Sequence, residues 1–157
     1  MGFEIERKYL VEKLQIDRII KERKGADIVQ GYLNLDPARS LRVRLKNQKA
    51  FITIKGKSDG IKRVEFEYEI PFEEGVEMMK LSTHDPIIKK RYEILHEGFV
   101  WEVDIFEGEN KGLIVAEIEL PNEQTHFSKP VWIKEEVSED DRYYNLALYQ
   151  NPYSNWE

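Results

Sequence analysis

Alternation of apolar and polar residues dominates this chain, and only a few short segments break it with a helical period. Gly2 to Val11 reads as a strand, with Glu4, Glu6 and Lys8 on one face and Ile5, Arg7 and Tyr9 on the other. Ile16, Ile19, Ile20 and Arg23 share one face of a short helix, for which Gly25 is the expected stop. Ile28 to Leu35 is again a strand, closed by the turn Asp36-Pro37-Ala38. Ser40 to Lys46, Ala50 to Lys57 and Arg63 to Ile70 alternate strictly, and the breaks Asn47-Gln48-Lys49 and Ser58-Asp59-Gly60 suit hairpins. Phe72, Val76 and Met79 predict a helix over Glu73 to Leu81, with acids near its N-terminus. Strands follow at Ile87 to Leu95, Phe99 to Phe106 and Leu113 to Leu120. Trp132 to Val137 reads as a short strand, and Asp140 and Asp141 as caps of a last helix carrying Tyr144, Leu146, Ala147 and Leu148. With no repeat or linker, residues 1–157 read as one domain of the α+β class, built on one antiparallel sheet.

The polar faces carry the information. The first strand presents Glu4, Glu6 and Lys8, the third Arg42, Arg44 and Lys46, and the fourth Thr53, Lys55 and Lys57. The fifth presents Arg63, Glu65, Glu67 and Glu69, and later strands add Lys89 with Arg91, Glu102 with Asp104, and Glu117 with Glu119. Any one such strand is ordinary for a sheet with one wet face. Like charges are collected by strand, however, whereas a solvated sheet tends to pair opposite charges across neighbours. A sheet closed on itself turns these rows inward, around a water-filled cavity holding bound ions, and leaves the apolar rows outside for helices to cover.

Composition narrows the ligand. Charged residues make up 34% of the chain, above the usual quarter or so. Acids outnumber bases 30 to 24, for a net charge of -6, which argues against a nucleic-acid or anionic-membrane binder but leaves room for a local basic pocket. There is no cysteine, so disulfides and thiolate metal sites are excluded. No stretch has the length of a signal or membrane segment, and Glu6 stands where a myristoylation signal needs Ser or Thr, so a cytoplasmic protein is expected. Glu4, Glu6, Glu117 and Glu119 facing one another repel by about 4 kcal/mol per close pair at an effective dielectric near 20. A hard divalent cation removes that penalty, and oxygen-only ligands suit Mg²⁺ or Mn²⁺. Arg42, Arg44, Lys55, Lys57, Lys89 and Arg91 need a polyanion, and a row of phosphates matches forks and point charges together.

The opening Glu4-Ile5-Glu6-Arg7-Lys8-Tyr9-Leu10-Val11 resembles the E-x-E-x-K signature of the CYTH, or triphosphate tunnel metalloenzyme, superfamily. The resemblance continues through Arg42-Val43-Arg44, Thr53-Ile54-Lys55-Gly56-Lys57, Arg63-Val64-Glu65-Phe66-Glu67, Lys89-Lys90-Arg91-Tyr92 and Trp101-Glu102-Val103-Asp104. It ends through Gly112-Leu113, Ala116-Glu117-Ile118-Glu119-Leu120, Glu136-Val137-Ser138, Arg142-Tyr143 and Asn145. One such block is weak; eight in order are specific.

The likeness implies a closed eight-stranded tunnel acting on a triphosphate. It implies Glu4, Glu6, Glu117 and Glu119 as metal ligands, with Asp104 as a further one. Lys8, Arg42, Arg44, Lys55, Lys57, Arg63, Lys89 and Arg91 would hold phosphates, and Arg142 with Tyr143 would close a mouth or merely pack. Lys8, Glu65, Glu67 and Lys89 are the candidates for catalysis, the two acids either orienting basic residues or assisting a second metal. Glu102 would either join the ligands or stand behind them. The small bacterial triphosphatases resemble the chain most, which favours tripolyphosphate; thiamine triphosphatase, a class IV-type adenylate cyclase and a non-catalytic polyphosphate- or nucleotide-binding module are the alternatives. A cyclase needs a stacking ring, for which Tyr32, Phe51 and Trp101 are available although packing suits each. His84, His96 and His126 fit no zinc spacing. Tyr143, Tyr144, Tyr149 and Tyr153 suit packing or a homodimer contact.

Overall fold

The computed structural model describes residues 2–156. Nine strands run β1 (Phe3–Val11), β2 (Ala26–Tyr32), β3 (Arg39–Lys46), β4 (Lys49–Gly56), β5 (Lys62–Ile70), β6 (Ile87–His96), β7 (Phe99–Phe106), β8 (Ile114–Glu119) and β9 (Ile133–Glu136). Three helices, α1 (Lys13–Ile20), α2 (Phe72–Met79) and α3 (Asn145–Gln150), lie among them. The strands are antiparallel in the order β5-β4-β3-β2-β6-β7-β8-β1-β9. Pairing of Phe3 with Val64 and Glu4 with Arg63 joins β1 to β5 and shuts an eight-stranded barrel, while β9 adds to β1 farther along at Tyr9 and Val11.

Local chemistry sets the corners. The β6–β7 loop is the two-residue Glu97-Gly98, both at positive φ (45° and 86°), as the mirror-image turn that matches strand twist requires. In the β3–β4 turn only the first of the two loop residues, Asn47, takes positive φ, at 52°. The second strand stops at Tyr32 rather than Leu35, because Asn34 turns back to bond Leu41 N and Arg39 O across the loop. Glu12 caps α1 by accepting from Gln15 N at 2.8 Å, and the helix ends at Ile20, short of Gly25. The expected cap at Asp140 is also displaced. It accepts from Arg142 N and caps a single 3₁₀ turn, Asp141–Tyr143, while α3 begins after it with no side-chain cap.

Closure puts the apolar rows outside, where two covers shield most of them, while the C-terminal segment packs on inward-facing residues. Helix α1 and the segment around Phe127 and Trp132 pack on the β7–β8–β1 wall, with Ile16, Trp101, Val103, Ala116 and Ile118 completely or almost completely buried. Trp101 makes edge contacts to Tyr9, Phe127 and Trp132, so it is a packing residue on the outer face. Helix α2 lies on β3 and β4 so closely that a Cβ at Gly75 would collide with Ala50. The C-terminal segment closes one end: Tyr143, Leu146, Leu148 and Tyr149 pack with Tyr32, Ile87, Phe106 and Val115. Phe3, Ile54, Val64, Phe66 and Tyr68 remain exposed on the outside of β1, β4 and β5. Among the described residues no helix is long and apolar enough to cross a membrane.

Candidate functional site

Strand alternation delivers the charges to the barrel interior, and register decides which meet. β1, β8 and β7 form an acidic wall, where Glu6 lies opposite Glu119, and Glu117 opposite both Lys8 and Glu102. β3 and β4 form a basic wall, with Arg42 opposite Thr53 and Lys55 opposite Ser40.

Between these walls and the C-terminal segment opens a cavity of about 820 Å³. Glu4, Glu6 and Lys8 line it from β1, Arg42, Lys55 and Lys57 from the basic wall, and Arg63 from β5. Tyr144, Leu146 and Ala147 form its roof. Tyr32 also reaches it, but packs against Tyr149 with ring centroids 5.1 Å apart. Lys55 Nζ donates to Glu4 Oε1 at 2.7 Å and lies 3.3 Å from Glu65, bridging β4, β5 and β1. Arg42 Nη2 donates to Thr53 Oγ1 at 3.2 Å, and that hydroxyl donates to Glu67 at 2.9 Å, so Glu67 steers the guanidinium through Thr53. Arg63 is tied to the Gly56 carbonyl at 2.7 Å. Lys8 Nζ donates to the Tyr143 carbonyl at 3.2 Å and stands 3.6 Å from Glu117.

A second group of charges does not line the cavity. Lys89 donates to Asp104 Oδ2 at 2.7 Å and to Asn145 at 3.2 Å. Arg91 grips Asp104 with Nε at 2.7 Å and Nη2 at 2.9 Å, and reaches Glu102 at 3.3 Å. Both oxygens of Asp104 are therefore engaged. Burial alone would raise the Asp104 carboxyl, but Arg91 and Lys89 outweigh it and hold the group at about 2. Burial pulls Lys89 down to about 7, with Arg91 and Arg44 adding to the effect and Asp104 opposing it. Arg44, on the next inward position of β3 beyond Arg42, meets Gln30 with Nε at 3.0 Å from Oε1.

The acids of the open half are differently placed. Burial, then Glu117, then Glu4 push the Glu6 carboxyl well above the usual carboxylate range. Glu117 lies well below that range: burial opposes ionisation, and Lys8 and Arg91 overcome it. Glu4 is raised by burial, only partly offset by Lys55, and Glu119, exposed at the far mouth, is raised by partial desolvation and by Glu4. Among the described residues no three carboxylate or imidazole groups converge closely enough to ligate a cation, since Glu4 and Glu117 are turned to Lys55 and Lys8. The donor set still fits a hard divalent ion, because an acid whose ionisation burial and its acidic neighbours oppose is relieved by a nearby cation.

The structure thus brings Glu4, Glu6, Lys8, Arg42, Lys55, Lys57 and Arg63 to one cavity, with Glu65, Glu67, Glu117 and Glu119 on its flanks. It does not bring Arg142. Asp140, two residues away, takes that guanidinium in two bonds at 3.0 and 2.7 Å, and the exposed side chain stacks on Trp156. Gln30 and Thr53 were not foreseen as site residues. Gln30 was legible as the one polar residue among the inward positions Ile28, Gln30 and Tyr32 of β2.

A closed antiparallel barrel with acidic and basic walls facing across a cavity defines a class: tunnel proteins built to hold a polyanion together with a cation. The CYTH domain pattern matches residues 2–147, and the chain belongs to the CYTH family. It is 48% identical to an inorganic triphosphatase of Acetivibrio thermocellus, over 100% of this chain and 99% of that one. An inorganic triphosphatase of Nitrosomonas europaea is 36% identical over 92% of this chain and 95% of its own. The crystal structure of an inorganic triphosphatase, 31% identical, superposes with a TM-score of 0.65 over 95% of each chain. Triphosphate tunnel enzymes of this family depend on a metal.

Proposed function

We propose that the protein is a divalent-metal-dependent triphosphatase acting on inorganic tripolyphosphate. The observation that carries this reading is the open half of the tunnel, where Lys8, Arg42, Lys55, Lys57 and Arg63 converge on one 820 Å³ cavity beside crowded carboxylates. Cations gathered from several strands can meet successive phosphates, and phosphoryl transfer asks little more of a protein than position and charge. Lys8, Arg42 and Lys55 hold the phosphate oxygens, and Lys57 and Arg63 draw the anion in from the mouth. Glu65 and Glu67 position Lys55 and Arg42 rather than touching substrate, which fits their contacts. Lys89 and Arg91, with Asp104, support the floor from behind. The oxygen of water bonds to the terminal phosphorus as the bridging P–O bond breaks, one proton of that water passes to solvent, and charge spreading onto the leaving diphosphate meets the basic wall. Mg²⁺ or Mn²⁺ held by Glu4, Glu6, Glu117 and Glu119 would neutralise phosphate oxygens and fix their orientation.

A panel of tripolyphosphate, thiamine triphosphate and ATP, each with Mg²⁺ and with Mn²⁺, tests this reading. Orthophosphate and diphosphate from tripolyphosphate, abolished by chelation, is the expected result. Preferential conversion of ATP to cyclic AMP would replace the hydrolase reading by a cyclase. Binding of tripolyphosphate without release of phosphate would leave a binding module.

A further inference from the structure

Gln30 is completely buried on β2, paired in register with Arg44 on β3 and Ile87 on β6. Its Oε1 accepts from Arg44 Nε at 3.0 Å, whereas its Nε2 has no hydrogen-bond partner among the described residues. Each buried cation of the tunnel has a carboxylate partner: Lys8 has Glu117, Arg42 has Glu67, and Lys89 and Arg91 have Asp104. Arg44 has none among the described residues. The guanidinium has a neutral amide as its direct partner and no carboxylate in contact; burial, Arg42 and Arg91 lower its affinity for the proton to about 9, and the more distant Asp104 and Glu67 offset this only in part. A glutamate at position 30 would have the same reach and would cancel that charge. The amide instead fixes the Nε edge of Arg44, and with it the direction of the fork, without neutralising it. Its Nε2 keeps its N–H donors unpaired among the described residues, beside the basic wall. Arg44 and Gln30 lie one inward position beyond Arg42 and Tyr32, which line the cavity, or about 7 Å deeper at strand spacing.

We infer that Gln30 is a positioning residue for substrate: it aims Arg44 at the deep end of the bound polyphosphate and leaves that cation uncompensated, so that the phosphate supplies the missing negative charge. This rests on the triphosphatase reading, and wild-type turnover of tripolyphosphate in the same assay keeps the two separate. If the wild type does not turn it over, the function is wrong. If the wild type does and the variants match it, only this inference is wrong.

The test compares Gln30→Glu with Gln30→Met, reading KM, kcat and melting temperature together. Gln30→Glu places a carboxylate on Arg44, so KM for tripolyphosphate rises at least tenfold while the melting temperature holds or increases. Gln30→Met keeps the volume but releases Arg44, so KM rises less and the melting temperature falls. A purely structural role predicts the opposite ranking, with KM following stability and the glutamate variant the better enzyme. KM within twofold of wild type in Gln30→Glu overturns the inference. Should that variant not fold, the double variant of Gln30→Met with Arg44→Met decides. Action through Arg44 gives the double variant the KM of Arg44→Met alone, whereas additive effects on KM contradict it.

Discussion

The two halves of the tunnel use the same side-chain chemistry to opposite ends. In the packed half, Asp104 joins Lys89 and Arg91 by three short bonds, all three groups are buried, and none lines the cavity. In the open half only Lys55 has a short partner, Glu4 at 2.7 Å, and the rest are looser or mismatched: Arg42 is 3.7 Å from Glu67, Lys8 is 3.6 Å from Glu117, and Glu6 is crowded by other acids. Charges already neutralised by one another have little left to offer a ligand, and removing one strands the others in low dielectric. Charges left in surplus cost stability and gain it back only when a complementary ion arrives. On the proposed function the packed half is scaffold and the open half is site, although both read as alternating charged strands.

That division is broken most severely at its buried centre. Asp104→Asn leaves Lys89 and Arg91 without compensation, and should destabilise the fold by about 3–5 kcal/mol, a fall in melting temperature on the order of 10 °C, measured by thermal or urea unfolding. The corresponding change in the open half, Arg42→Met, removes a cation with only weak partners. It should raise KM for tripolyphosphate roughly 10- to 100-fold, as expected for a charged hydrogen bond, with little change in melting temperature. An Arg42→Met protein that loses its fold but not its affinity would reverse the assignment of the halves.

Titration sharpens the contrast. An unfolded lysine keeps its proton until about pH 10.4, whereas Lys89 in the fold releases it near 7. Between these values the unfolded chain binds more protons, so this group makes stability rise with pH, and the rise should vanish in Lys89→Met. Asp104 works at the other end: its folded value near 2 lies below the ordinary one, so its stabilisation is complete above about pH 4 and is lost as pH falls toward 2. Unfolding free energies across the pH range, for wild type and variant, check both signs. The smallest effect belongs to Arg142→Ala, whose side chain is exposed and turned to Asp140; kcat and KM for tripolyphosphate should both stay within twofold of wild type.

The barrel and most of its lining were legible because a period of two fixes which side chains point inward, whatever the register. Glu4, Glu6 and Lys8, or Arg42 and Arg44, could hardly face elsewhere once the apolar row was placed outside. Register was not legible, and register decides that Asp104 meets Arg91 across a strand pair while Glu6 meets Glu119. Hence Asp104 and Glu117 looked alike in sequence and differ in place. Arg142 lies outside the cavity for a different reason: a short-range bond to Asp140, outside any regular strand, turns its side chain away. Gln30 carries no formal charge and so does not stand out in a pattern of charged rows, although its neutrality is what distinguishes it as the partner of Arg44.

The central claim is that the acids of the open half are held in surplus for a cation and a polyphosphate. Metal-dependent phosphate release from tripolyphosphate by Glu6→Gln, beside wild type and with melting temperatures recorded, tests it most directly. Since Glu6 in the fold holds its proton to higher pH than an unfolded glutamate, the ionised group costs stability near neutrality. The account predicts activity lower by about 100-fold or more and a melting temperature equal to or above that of wild type. Glu6→Gln protein that is folded and retains more than a small percentage of wild-type turnover would contradict it.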